Sequence, residues 1–244
     1  MSFAFNEDQK LLAESVDRFI LDDYSFEQRR RTIAMDGGFD KKNWERFGAL
    51  GWLALPISEE FGGLGGSTVD VAVLLEGFGR GLVVEPYQST IVLGAETIAL
   101  AGRVDQKKSL LEKIAEGKKL ISFAHTEPRS RFDLQHVELT AIKDGESYKL
   151  NGEKAVVHNA ETADLIIVSA RTSGDIRDDD GITLFLVDPK TEGLEFRSYP
   201  TIDGMRASEL SFDSVVVDSE QLLGLSLIHI SEPTRPERIA YGGV

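Results

Sequence analysis

The spacing of apolar residues changes once along this chain, near Lys119, from a helical period to strict alternation. A chain with that pattern folds as an all-α part followed by a β part, because each period buries its apolar side chains on only one kind of element. Before the change, Asn6 and Gln9 have the spacing of a capping box, and Leu12, Val16, Phe19 and Ile20 recur on one helical face. Residues 41–50 carry Trp44 and Phe47 and stop at Gly51, which predicts a C-terminal cap. Pro56 and the cluster Gly62-Gly63-Leu64-Gly65-Gly66 predict a connection, and Ser67 or Thr68 then caps a helix through Val71, Leu74, Leu75 and Phe78. Pro86 interrupts the pattern. Helical spacing resumes over residues 89–100 and again over 105–115.

After Lys119, short β-type runs occupy residues 120–125, 137–143, 148–150, 165–170, 182–187, 194–198 and 210–217. Asp144-Gly145, Asn151-Gly152, Asp180-Gly181 and Asp188-Pro189 lie between them as turn signals. Strands at this spacing, with no helices between them, predict an antiparallel barrel or sandwich and exclude a doubly wound α/β sheet. The expected organisation is a helical domain over residues 1–118 and a β domain over 119–224. Residues 225–244 continue neither period. Their start, Leu225-Ser226-Leu227-Ile228-His229-Ile230-Ser231-Glu232-Pro233-Thr234-Arg235, resembles the in-frame translation of a transposon-based sequencing-library adapter. On that reading the evolved sequence stops at about Gly224, and His229 belongs to no site.

Composition narrows the function. A net charge of −14 repels nucleic acid and anionic membrane surfaces, so neither is expected as a partner. It also requires that any polyanionic ligand find a locally basic pocket. The absence of cysteine removes disulfides, thiolate metal sites and a cysteine nucleophile together. With no basic leader before an apolar run, and no apolar stretch of about 18 residues, a cytoplasmic enzyme is expected.

Two segments carry most of the functional information. The first is Phe123-Ala124-His125-Thr126-Glu127-Pro128, followed by Asp133; the second is Tyr148-Lys149-Leu150-Asn151-Gly152-Glu153-Lys154-Ala155-Val156-Val157-His158-Asn159. Together they resemble the two signatures of the acyl-CoA dehydrogenase family: a strand ending in Thr-Glu-Pro, and a Leu-Asn-Gly-x-Lys hairpin leading into a Trp-Ile-Thr/Ser-Asn strand. Leu55-Pro56 before Glu59-Glu60-Phe61-Gly62-Gly63, and the closing Gln221-Leu222-Leu223-Gly224, fit the same family. The resemblance spans nearly all of residues 1–224. Within the family it is closest to the small-subunit branch of pimeloyl-CoA dehydrogenases, through Arg131-Phe132-Asp133-Leu134, Glu153-Lys154, the run 167–172 and the run 181–188.

The resemblance implies FAD as cofactor, an acyl-CoA ester of medium-chain or dicarboxylic type as substrate, and electron-transferring flavoprotein as electron acceptor. It also implies a homo-oligomer, or a hetero-oligomer with a larger dehydrogenase subunit. In such enzymes a carboxylate removes the α-proton while the flavin accepts the β-hydride. The family's base lies in a C-terminal helical domain that this chain is expected to lack, so no catalytic residue is assigned here, and the 244-residue chain is expected to be inactive. Phe123, His125 and Thr126 are the expected flavin contacts on the first segment, and Val156 and His158 on the second. On the residues alone, Thr126 fits a cap at a strand-to-turn junction better, and His158 equally fits a surface histidine.

Three departures from the family pattern stand out. Val156 replaces the stacking Trp, removing aromatic cover. His158 replaces the Thr or Ser near flavin N5 and retains a donor. Arg129-Ser130-Arg131-Phe132 replace small residues that end in a phosphate-contacting Ser. Arg129 and Arg131, with Phe132 beside them, are candidates for holding a CoA phosphate or the far carboxylate of a diacid, since Arg grips both bidentately; a solvated loop pair is the alternative. These departures keep open a non-catalytic structural subunit and an acyl-CoA oxidase as alternatives. Gly62–Gly66 lacks the Gly-Lys-Ser/Thr ending of a phosphate loop, and Asp178-Asp179-Asp180 lacks EF-hand spacing.

Overall fold

Asn6 opens the first helix as its spacing predicts. Its side chain accepts from the Gln9 amide while the Gln9 side chain returns to the Asn6 amide, and helix α1 runs over Glu7–Asp23. The computed structural model describes residues 4–224, and the tail from Leu225 on, with its adapter-like start, lies outside the described residues. Helix α2 (Phe26–Ile33) is capped by Ser25, and α3 (Lys41–Ala49) is followed by Gly51 at φ +76°, the left-handed turn that lets Trp52 N–H reach back to Phe47 O. Ser67 and Asp70 form a second capping box at the start of α4 (Thr68–Gly81). Residues 88–100 differ from a plain helix: Gln88–Ala95 is a π-helical segment that continues into α5 (Glu96–Ala101), and α6 (Val104–Ala115) follows. Among the described residues no helix is long and apolar enough to cross a membrane.

Aromatic rings hold these helices together. Phe47 stacks on Phe78 at 5.0 Å between centroids and meets Phe19 edge-on at 5.3 Å, with Trp52 and Tyr87 closing the cluster. Helices α1 and α4 approach so closely at Gly77 that a Cβ there would lie 2.4 Å from Val16 Cγ1. At the edge of the cluster sits a buried carboxylate, Glu85. It accepts from Tyr24 Oη (2.8 Å) and Asn43 Nδ2 (2.7 Å), tying the end of α1 to α3. Burial is the largest influence on Glu85 and holds its pKa above the ordinary 4.5.

The β part contains seven strands: β1 (Ile121–Ala124), β2 (Thr140–Asp144), β3 (Ser147–His158), β4 (Leu165–Arg171), β5 (Ile182–Val187), β6 (Leu194–Pro200) and β7 (Arg206–Asp218). Their order is β1-β4-β2-β3-β7-β6, with β5 on the free edge of β4. The curled sheet is mixed rather than wholly antiparallel. β1 runs parallel to β4, because the β2–β3 hairpin intervenes before the chain returns beside β1. Asn151-Gly152, expected to be a turn, instead lies within β3. Gly152 (φ +139°) sits at a register shift against β7, where a Cβ would meet Leu139 Cα at 2.8 Å, and Asn151 Oδ1 accepts from Ser214 N at 2.8 Å.

Strands β1 and β2 share one lane. β5 occupies one edge of β4 throughout, so β1, paired to Leu165–Val168, and β2, bridged at Arg171, lie end to end along the other edge. The Glu127 carboxylate fills the break between them. It accepts from Glu138 N (2.6 Å) and Leu139 N (3.1 Å) and pairs with Lys154 Nζ at 2.7 Å, and Lys154 also donates to Ser169 Oγ at 3.0 Å. Both charged side chains are buried, and burial outweighs the attraction of Glu127, lowering the Lys154 pKa to about 8.

Two stability outcomes follow from these buried charges. Folded Glu85 keeps a proton that the unfolded chain loses as pH passes 4.5, so its contribution to stability falls as pH rises through the folded-state value. Glu85→Gln should therefore stabilise the protein at pH 7 by on the order of 1 kcal/mol and flatten the loss of stability that sets in as pH rises above 4.5. A lower thermal midpoint at pH 7 would refute this. Lys154→Met, which leaves Glu127 buried without a cation, should cost about 3–5 kcal/mol in urea unfolding. Adding Glu127→Gln should recover part of that loss; strictly additive losses would show that the two side chains do not act as a pair.

Candidate functional site

The end of β3 and the segment leaving β1 form one wall. Ala155 N donates to Thr126 O at 2.8 Å, and Ser122 Oγ donates to His158 O at 2.8 Å. The π-helical segment braces this wall from the helical side. Thr90 Oγ1 donates to Ile121 O (3.1 Å) and accepts from Ile121 N (3.2 Å), and Ser89 Oγ donates to Asn159 Oδ1 (3.0 Å). A Cβ on Gly94 would lie 2.6 Å from Ile121 Cγ2, so the segment needs glycine there to approach β1.

A bulge decides which side chains the wall presents. In β3 the residues facing the β core are Leu150 and Lys154, at even numbers, up to the register shift between Lys154↔Leu210 and Val157↔Ser208. Beyond the shift Val157 faces the core, and Val156 and His158 lie on the opposite side. Without the extra residue the parity would reverse and His158 would point into the core. Val156 takes the left-handed conformation (φ +53°) that such bulges usually reserve for glycine, and its side chain is 45% exposed.

Two imidazoles meet on this wall with unused nitrogens. The Nδ1 atoms of His125 and His158 are both buried and without a hydrogen-bond partner. Burial is the largest influence on His125; the Phe123 backbone opposes it and the charges of Lys154 and His158 add to it, and the balance holds its pKa below the ordinary imidazole value and favours the neutral ring. The Phe123 ring lies 5.0 Å from that of His125. Orphaned buried nitrogens are rare in folded proteins and fit a ligand that carries complementary polar atoms. A flavin ring edge, with its alternating N and C=O groups, meets that requirement.

Beside the wall, a cavity of about 400 Å³ is lined mostly by apolar side chains, including Leu75, Phe78, Leu82, Tyr87, Val92 and Met205. Its charged lining residues are Arg29, Glu85 and Asp203. Asp203 and Met205 belong to the β6–β7 turn, which leads directly into the residues paired with His158 (His158↔Ala207), and Gln88 precedes the Ser89 that binds Asn159, so the cavity lies next to the end of β3. Arg29 spans its mouth, donating from Nε to Leu82 O at 2.7 Å and from a terminal nitrogen to Asp203 O. A larger cavity of about 480 Å³, bordered by Asp36, Lys41, Lys118, Glu161, Asp164 and Arg206, has mixed charges.

The structure thus brings Phe123, His125, Thr126, Val156 and His158 together. Arg129, Arg131 and Phe132 are exposed on the turn after Pro128, with Phe132 fully so. In that turn Ser130 is buried and Ser130 Oγ accepts from Glu127 N, an anchoring role that the motif comparison did not suggest. The aspartate run 178–180 wraps the buried Arg171, which donates to the carbonyls of Gln135, Ile176, Asp178 and Asp180. Arg29, Glu85 and Ser89 carried no sequence signal; they belong to the site only through tertiary packing. Glu127 and Lys154 stood inside the two motifs without an evident role.

Comparison with known proteins agrees with this geometry. Residues 6–118 match the acyl-CoA dehydrogenase N-terminal domain, and residues 122–215 match the acyl-CoA dehydrogenase middle domain. A probable acyl-CoA dehydrogenase, YngJ, of Bacillus subtilis (strain 168) is 31% identical over 229 residues, covering 92% of this chain and 60% of that protein. The butyryl-CoA dehydrogenase of Megasphaera elsdenii superimposes with a TM-score of 0.81 at 27% identity, over 92% of this chain and 60% of the other. A structure described as the FAD complex of PigA superimposes with a TM-score of 0.82 at 26% identity, over the same 92% and 60%. The chain therefore spans about 60% of the length of the relatives it matches. With matches along nearly all of residues 6–215, and a helical bundle packed against a curled sheet in the family's order, the chain belongs to the acyl-CoA dehydrogenase family.

Proposed function

We infer that this chain supplies one wall of the flavin site and the acyl cavity of an FAD-dependent acyl-CoA dehydrogenase acting in the cytoplasm. The observation that carries this reading is the pair of buried, unpartnered Nδ1 atoms on His125 and His158, set on a joined wall beside an apolar cavity. When bound, FAD supplies the acceptor for the β-hydride of the thioester. The residues of this chain bind and orient. His125 and His158 offer hydrogen bonds to polar atoms of the ring, with Thr126 beside them. Phe123 and Val156 give apolar cover. The Leu75–Phe78–Val92 surface excludes water from the acyl chain, which keeps electrostatic interactions strong at the reacting carbons. We assign no general base among the described residues, and we expect the 244-residue chain alone to turn over no acyl-CoA.

Arg29 refines the substrate class. It is the cation among the residues lining the cavity, it makes no ion pair among the described residues, and its hydrogen-bond acceptors are neutral carbonyls. A medium-chain acyl group ending in a second carboxylate would place that carboxylate where a planar guanidinium binds it. Arg129 and Arg131, exposed on the turn after Pro128, suit the phosphates of CoA. Electron-transferring flavoprotein as acceptor and a larger dehydrogenase subunit as partner complete the proposed system.

FAD titrated against the chain should bind with quenched flavin fluorescence, and His125→Ala or His158→Ala should each weaken binding roughly tenfold, the equivalent of one hydrogen bond to a buried group. Unchanged affinity in both variants, or no binding at all, would count against the cofactor assignment. In calorimetry, Arg29→Gln should weaken a seven-carbon dicarboxylyl-CoA about tenfold while leaving heptanoyl-CoA within about twofold. Equal losses for both ligands would show Arg29 to be a strut between Leu82 and Asp203 and nothing more.

A further inference from the structure

The bulge in β3 sets the parity of its last residues, yet the residue that takes the left-handed turn is valine, whose branched Cβ disfavours that backbone. Something on the same face must hold it there. Opposite the bulge, between Leu210 and Ser208, stands Glu209. On the next strand, Tyr199 pairs with Ala207, and its hydroxyl donates to Glu209 Oε1 at 2.7 Å. The Val156 backbone, on the bulge side, lies close enough to act on the same phenol. The phenol is thus bonded to the residue that the bulge opposes and lies beside the bulged residue itself. Arg197, the cross-strand partner of Glu209, lies close enough to act on the phenol as well.

We propose that Tyr199 and Glu209 are positioning residues that hold the Val156 bulge and thereby keep His158 on the ligand side of the wall. This role rests on the flavin reading above. The argument is one of parity: a strand shows alternate faces, so keeping or losing one extra residue decides whether His158 or Val157 faces the ligand. Glycine would form this bulge unaided. Valine does not, so the sheet face supplies a staple, and the staple lies on β6 and β7, outside both motifs that identify the site. Tyr199 touches neither the cavity lining nor the imidazoles in any recorded contact, so its effect on ligand is indirect.

The test uses two readouts on the 244-residue chain. In the ligand-free protein, amide hydrogen exchange followed by NMR should speed up at least about tenfold at Val156 and Val157 in Tyr199→Phe or Glu209→Ala, with Leu150 unaffected. In FAD titrations Tyr199→Phe should weaken binding about tenfold, and in the ligand-free protein adding Val156→Gly should return exchange at Val157 to within about threefold of the unaltered chain, because glycine adopts the left-handed turn without help. Exchange and affinity both within twofold of the unaltered chain would overturn the proposal, as would failure of Val156→Gly to slow exchange at Val157 in the Tyr199→Phe background. If the unaltered chain binds no FAD, the cofactor reading falls and takes the positioning role with it. If it binds FAD and Tyr199→Phe matches it, only the positioning role falls.

Discussion

The buried pair of Glu127 and Lys154 is the interaction on which the β domain's shape depends. Two short strands lie end to end in one lane, and a lane broken in its middle leaves backbone amides inside the sheet without partners. The Glu127 carboxylate substitutes for a missing stretch of strand by accepting the amides of Glu138 and Leu139. A bare carboxylate in that position would be unaffordable, and Lys154 neutralises it from β3. The pair is therefore structural before it is functional. Its reach is nonetheless long. Anchoring β3 at Lys154 places Ala155 N against Thr126 O in the next step along the chain, and that contact joins the two halves of the wall.

Much of this fold was legible because burial and periodicity coincide. β5 matches its expected run, residues 182–187, because every position in it is buried and the apolar run is unbroken. The capping signals at Asn6 and Ser67 are local chemistry, and both caps form where their spacing predicts. Helix α2 went unseen: its sequence, Phe-Glu-Gln-Arg-Arg-Arg-Thr-Ile, has no apolar stripe, and only Thr32 is buried. Asn151-Gly152 lies in a strand where its residue types predict a turn, because the glycine that permits a turn also permits close approach to Leu139 within a strand. The parallel pairing of β1 with β4 depends on contacts more than 40 residues apart, for which no local pattern exists.

The site was legible in a different way. Phe123, His125, Thr126, Val156 and His158 came from resemblance to a family, not from any physical property of those residues in isolation. What the resemblance did not carry is the means by which they are held. The bulge at Val156 has no glycine to announce it, and Tyr199 and Glu209 lie some 40 residues or more further along the chain. Ser130, Arg171 and the Glu127–Lys154 pair act the same way, as polar groups buried to fix loops and strand ends. Such residues are invisible to periodicity because they are polar in positions where the period expects an apolar side chain.

The π-helical segment shows why the helical and β parts act on one ligand. Ser89, Thr90 and Gly94 turn toward Asn159 and Ile121, while Tyr87, Gln88 and Val92 line the apolar cavity. A π turn carries about one residue more than an α turn, and here the widened turn serves two surfaces at once. Moving the segment to enlarge the cavity would pull on the hydrogen bonds that hold β1 and Asn159, and hence on the wall carrying the two imidazoles. Wall and cavity are therefore coupled through a single backbone element. A substrate that fills the cavity well and one that fills it poorly must differ in how firmly that element is held against the wall, whatever either makes in direct contacts.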